Sequence, residues 1–165
     1  MTRKPSRRRA SRSIDSEAPP GRAPAPLEVA ARLLRRAPRT ASELHARLLA
    51  RGYGEETATA VVERCQELGW VNDALVAGDR ARYLRRHGAG SLRIAAELAA
   101  RGLADEVIAE AVAASLDGES ETAWARRVLE RARPRQREGA AAWRLLAARG
   151  FPEEVIASVV GWSAD

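Results

Sequence analysis

Three short stretches repeat along this chain: RGYGEET from Arg51, RGLADEV from Arg101 and RGFPEEV from Arg149. In each, a Leu (Leu48, Leu98, Leu146) lies four residues before a Gly (Gly52, Gly102, Gly150). Glycine there suits the position just past a helix end, where the backbone turns left-handed and a Cβ is penalised. An apolar residue follows (Tyr53, Leu103, Phe151), then acidic pairs: Glu55 and Glu56, Asp105 and Glu106, Glu153 and Glu154. Negative charge in a first helical turn complements the helix dipole. Pro152 fits a first helical position. Apolar residues then return at helical spacing, as at Val61–Val62, Ala111–Val112 and Val159–Val160. Each stretch is therefore a helix, a glycine turn and a second helix.

Upstream of each corner the pattern predicts another helix, at about 27–36, 73–86 and 120–132. TASE at 40–43 has the capping-box pattern, with Thr40 and Glu43 able to satisfy each other's orphan amides. Gly69 is placed to stop a helix, and Asp117–Gly118 to separate two units. The expected fold is all-α: tandem three-helix repeats stacked into an elongated, curved rod. The expected divisions are a disordered basic tail at 1–26 and repeats at 27–71, 72–117 and 118–165. One such unit is small, so neighbours are expected to stack to hide their apolar faces.

Composition narrows the chemistry. Aromatics make up only 4% of the chain, so the core is built of Leu, Val, Ile and Ala. The single cysteine, Cys65, excludes an internal disulfide and fits a reducing compartment. The start MTRKPSRRRASRS lacks the apolar run of a secretory signal, and no apolar segment is long enough to span a bilayer. A soluble, cytoplasmic, monomeric protein with no membrane partner is expected. Lys4 is the only lysine, so the repeats cannot supply a phosphate-binding loop of the Gly-Lys kind. His45, His87 and Cys65 have no metal-ligand spacing. No enzyme activity, cofactor or metal is expected.

Charge is unevenly placed. Residues 1–26 hold seven basic residues against Asp15 and Glu17, a net +5 of the chain's +6. This segment has almost no large apolar residue and is expected to stay unfolded. It fits either a solubilising extension or non-specific attraction to nucleic acid. Two further clusters lie within the repeats. Residues 80–101 include Arg80, Arg82, Arg85, Arg86, Arg93 and Arg101. Residues 126–144 include Arg126, Arg127, Arg131, Arg133, Arg135, Arg137 and Arg144. Arg93, Glu97 and Arg101 are spaced to stack on one helix face. These arginines fit a solvated face in an arginine-rich chain, or contacts to phosphates or acidic protein. The candidates for partner contact are Arg82, Arg85, Arg86, Arg93, Arg101, Arg126, Arg127 and Arg131, with Arg85, Arg86 and Arg93 expected on polar faces.

The stretch ELGWVNDALVAGDRARYLRRHGAGSLRIAAELAARGLADEVIAEAV (67–112) resembles the centre of the RecX family. The likeness rests on Asn72–Asp73, Gly90, Arg93–Ile94, Glu97–Leu98 and Arg101–Gly102–Leu103. RTASELHARLLARGY (39–53) is similar to that family's first repeat and LLAARGFPEEVI (145–156) to its third. The resemblance implies tandem three-helix repeats and a regulator without catalytic activity. Its implied partner is the RecA recombinase or its DNA filament, whose ATPase, strand-exchange and coprotease activities it restrains. That places it in recombination, DNA repair and the SOS response. The alternative is a helical protein that binds nucleic acid non-specifically. The chain departs from the family's pattern at Val76 and near Arg80, where aromatic residues are usual. Arg80 would sit in the middle of an apolar face shared by Val76, Ala77, Ala81 and Leu84. Its head must then reach water or a carboxylate such as Asp79 or Asp73.

One prediction follows from charge alone. Removing residues 1–26 should weaken DNA binding and reduce its salt dependence, because fewer counterions are released. The helical melt should be unchanged; a lost cooperative transition would contradict the reading of this segment as a tail.

Overall fold

A computed structural model of the chain describes residues 25–161. The expected tail at 1–26 lies outside the described residues but for Ala25 and Pro26, which cap and open the first helix instead. Every element in the described region is helical. The first unit holds α1 (Pro26–Arg36), α2 (Ala41–Leu49) and α3 (Glu55–Glu67). The second holds α4 (Asp73–Arg86), α5 (Ser91–Ala99) and α6 (Asp105–Ala114). The third holds α7 (Glu121–Glu130), α8 (Gly139–Ala148) and α9 (Glu153–Val160), with a 3-10 turn at Pro134–Gln136.

Local chemistry fixes the helix ends. Gly52, Gly102 and Gly150 all have left-handed backbones, with φ of 87°, 72° and 77°. The Tyr53 and Phe151 amides bond back to the Leu48 and Leu146 carbonyls, closing the first and third corners. Thr40 and Glu43 form the expected capping box, each side chain accepting from the other's amide. Asn72 caps α4 by accepting from the Leu75 amide, and Ser120 caps α7 by accepting from the Ala123 amide. Gly69 and the Asp117–Gly118 pair take positive φ at the ends of their units.

Each unit closes its own core. The first buries Val29, Ala30, Leu33, Leu44, Leu48, Ala58, Val62 and Cys65. The second buries Ala77, Ala81, Leu84, Ile94, Leu98, Leu103 and Ile108. The third buries Ala125, Val128, Leu129, Leu146, Phe151 and Ile156. Burying one Leu or Ile contributes roughly 1.5–3 kcal/mol, so these clusters supply most of each unit's stability. Alanines at the buried contacts let three short helices close a core without help. Among the described residues, no apolar cluster spans two units, and the tandem units stack through closely packed contacts between them.

Polar joints connect the units, and the same joint is built twice. In the first, the Ala41 amide at the start of α2 donates to Asp73 Oδ1 at the start of α4, 2.8 Å. The Thr40 hydroxyl donates to the Arg101 carbonyl, 2.8 Å. The Arg101 guanidinium grips both Glu43 oxygens at 2.7 and 3.0 Å. In the second, the Ser91 amide at the start of α5 donates to Glu121 Oε1 at the start of α7, 2.6 Å. The Gly90 and Leu92 amides donate to the Arg149 and Gly150 carbonyls, 2.8 and 3.0 Å. So the glycine corner of each following unit sits on the N-terminus of the preceding unit's second helix. Arg101 thus pairs across a joint rather than along its own helix, and Glu97 pairs with Arg80.

Gly90 owes its identity to this packing. Its φ of −81° suits any residue. Yet a Cβ there would overlap the Gly150 carbonyl and the Phe151 amide. Gly54 also precedes a helix with ordinary φ, but nothing lies near its Cβ position. Gly90→Ala should therefore lose ~1–3 kcal/mol more than Gly54→Ala, the range for an overpacked site. Thermal melts of the two variants check this; equal melts would mean the second joint is not closed in solution.

The first joint also has a pH dependence. The hydrogen bond from Arg101 holds the Glu43 carboxyl below its ordinary value, outweighing the opposing effect of burial. A carboxyl lowered in the folded state stabilises fully above its unfolded pKa. That stabilisation fades as pH falls through the lower folded value. Glu43→Gln should thus cost most at neutral pH, and the gap to wild type should narrow below the model-compound value of 4.5. Denaturant midpoints from pH 7 to pH 3 test this; a constant gap would rule out the linkage.

Candidate functional site

The second joint brings most of the predicted arginines together. On α4, Ala77, Ala81 and Leu84 face the core, which leaves Arg82 and Arg86 exposed one turn apart. Arg80 reaches the edge of that face, pairs with Glu97 on α5 and lies 5.0 Å from the Tyr83 ring centre. Its counter-charge comes from a neighbouring helix, not from Asp79 or Asp73. Arg82 pairs with Asp79 at 2.7 Å. On α7, Arg127 pairs with Glu119 at 2.7 Å and lies 4.9 Å from the Trp124 ring centre.

Arg85 corrects the sequence reading. It is not on a polar face but is 2% exposed, enclosed where the second unit meets the third. Its Nε donates to Ser115 Oγ at 3.2 Å. Its Nη1 donates to the Ala89 carbonyl at 3.2 Å and to Glu121 Oε1 at 3.3 Å. Glu121 therefore joins the Arg85 guanidinium and the α5 N-terminus to α7. Removing one partner of a buried pair leaves the other charge uncompensated, at a cost of about 3–5 kcal/mol. Arg85 is thus a poor place for charge reversal, contrary to its expected place on a polar face.

Arg82, Arg85, Arg86 and Arg127 line one cleft of about 340 Å3 with Trp124, Ser115, Asp117 and Glu119. Arg86, Trp124 and Arg127 also line an adjoining cleft of about 180 Å3, with Arg131 and Arg149. Five of the eight candidates thus meet at this junction. Arg93 packs its backbone against Gly150 at the same joint but lines neither cleft, Arg126 is exposed on α7, and Arg101 is held in the first joint. Sequence reasoning missed Arg149 and Trp124. The available signals were the Arg that opens each repeated corner and the aromatic three residues before Arg127. Arg86, Arg131 and Arg149 form no ion pair with a described residue, so their charge faces the clefts uncancelled.

Other regions offer less. A larger cleft of about 540 Å3 on the first unit is lined by Val29, Arg32, Leu33, Arg36 and Arg51 among others. None of the eight candidates lines it. Cys65 is fully buried, and that burial pushes its thiol up, away from the reactive thiolate. Among the described residues, no group of three or more His, Cys, Asp or Glu could hold a metal ion. No helix in that region is long and apolar enough to cross a membrane.

Comparison with known proteins follows the same lines. The family models for the first and second three-helix domains of RecX match residues 27–65 and 72–112. The regulatory protein RecX of Chromohalobacter salexigens is 36% identical over 138 residues, spanning 79% of this chain and 88% of that protein. RecX of Mycobacterium avium is 40% identical over 83 residues, spanning 50% of this chain and 48% of its own. The crystal structure of RecX from Lactobacillus salivarius has the same fold, with a TM-score of 0.72 and 17% identity. That likeness covers 82% of this chain and 92% of the other. With its repeated corners, its three-helix units and a relative matched over most of both lengths, the chain belongs to the RecX family of regulatory proteins.

Proposed function

We propose that this chain binds the RecA recombinase or its DNA filament and restrains its ATPase, strand-exchange and coprotease activities. The observation that carries this reading is the match to a regulatory protein RecX over 88% of that protein's length. Two structural features support it. Three units joined head to tail offer a row of surfaces suited to an extended partner. The junction of the second and third units offers an arginine cleft suited to acidic protein or phosphate. The protein acts by binding, without chemistry of its own, and works in the cytoplasm, where RecA-dependent recombination and repair take place.

The expected contact is testable at Arg86 and Arg131, which are exposed and outside the ion pairs that hold the fold. Reversing both to Glu brings like charges together across the interface, which costs several kcal/mol. The concentration needed to inhibit RecA's DNA-dependent ATPase should rise by at least about tenfold, the factor given by 1.4 kcal/mol. The helical melt should be unchanged. Full inhibition by the variant would move the contact elsewhere. Failure of the wild type to inhibit, with tight DNA binding in RecA's absence, would favour a plain nucleic-acid binder.

A further inference from the structure

Two N–H groups at the second joint are buried with no acceptor among the described residues: Arg85 Nη2 and Trp124 Nε1. Buried donors are nearly always satisfied, so such groups call for an explanation. The side chains that carry them belong to different units yet line the same cleft. The Arg85 guanidinium cannot turn to find another acceptor, because its Nε and Nη1 are fixed by Ser115, Ala89 and Glu121. Carboxylates are close by, but Glu119 is committed to Arg127 and Glu121 to Ser91 and Arg85, while Asp117 is exposed on the cleft lining and accepts from neither donor. The cleft lining thus holds four arginines, Arg82, Arg85, Arg86 and Arg127, against the carboxylates of Asp117 and Glu119.

We propose that Arg85 Nη2 and Trp124 Nε1 are two legs of a phosphate site, and that its ligand is a backbone phosphate of a nucleic-acid strand. A tetrahedral phosphate offers acceptor oxygens in several directions and no obligatory donor, matching donors that come from separate side chains. A carboxylate offers two oxygens in one plane and suits the fork of a single arginine. The adjoining cleft, with Arg131 and Arg149, continues the basic surface past Trp124 and Arg127. That continuation fits a polyanion with regularly spaced charges better than one small ion. The Trp124 ring already carries the Arg127 guanidinium at 4.9 Å, so the site reads backbone rather than stacking a base. Binding there is sequence-independent. The inference concerns this chain and nucleic acid alone, and does not rest on the reading that it acts on RecA.

The test uses the full chain labelled with 15N at its tryptophans, with the Trp124 indole N–H resonance assigned from Trp124→Phe. Three probes are titrated separately: a short oligothymidylate, inorganic phosphate and polyglutamate. Oligothymidylate should shift the Trp124 resonance saturably, and inorganic phosphate should shift it the same way at much higher concentration. The indole signal separates this site from any binding by the basic N-terminal segment. Trp124→Phe removes one donor and no charge. It should weaken oligothymidylate binding by up to about tenfold, as expected for a lost hydrogen bond to a charged group. The slope of affinity against salt should stay the same. Arg86→Gln should reduce that slope by about one phosphate contact. Oligothymidylate binding that leaves the Trp124 resonance unmoved overturns the proposal. So does a response to inorganic phosphate without one to oligothymidylate, or to polyglutamate alone, which would mark an acidic protein partner. Unchanged affinity in Trp124→Phe with an intact melt also overturns it.

Discussion

The structure depends on one recurring hydrogen bond. In the second and third units the first helical residue is an acid, and its carboxylate accepts from the first amide of the preceding unit's second helix. Asp73 does this for Ala41, and Glu121 for Ser91. The amide is one that the helix cannot satisfy itself, and the acid lies at the positive end of that helix's dipole. A charged acceptor makes this bond worth about 1.5–3 kcal/mol, more than a neutral one. It also sets position: once the carboxylate is docked, the glycine corner falls beside it, and the arginines on α4 and α7 come to face each other.

Much of this was legible in the sequence, because the signals are local. The glycine corners, the Thr40–Glu43 capping box and the helix starts at Asp73 and Glu121 are each set by residues a few positions apart. The partners across the joints are not. Arg101 lies four residues from Glu97 in sequence, yet bonds to Glu43, 58 residues away. Arg80 looked unsupported on an apolar face, because its counter-charge lies on another helix. Arg85 follows buried Leu84 directly, and only the arrival of α7 decides that it is enclosed. Helical spacing tells which residues share a face. It does not tell what covers the face when the cover comes from the next unit.

The candidate site shows the same division. Sequence picked out dense arginine, but not which arginines are structural. Arg101 and Arg85 serve the joints, while Arg86 and Arg131 are free of ion pairs with described residues. Arg85 belongs to both sets: one of its three bonds, to Glu121, ties the second unit to the third, and its side chain lines the cleft. A ligand held there would touch the tie itself, so occupancy and the angle between the units are coupled.

Because each unit buries its own apolar cluster, no core among the described residues is shared across a joint. A load applied along the chain meets three stiff bodies linked by charge-assisted hydrogen bonds at small contact points. The contacts that fix one unit against the next are thus local, at Thr40–Ala41 and Gly90–Ser91, and a single substitution there acts on the arrangement of whole units while each apolar cluster keeps its own residues.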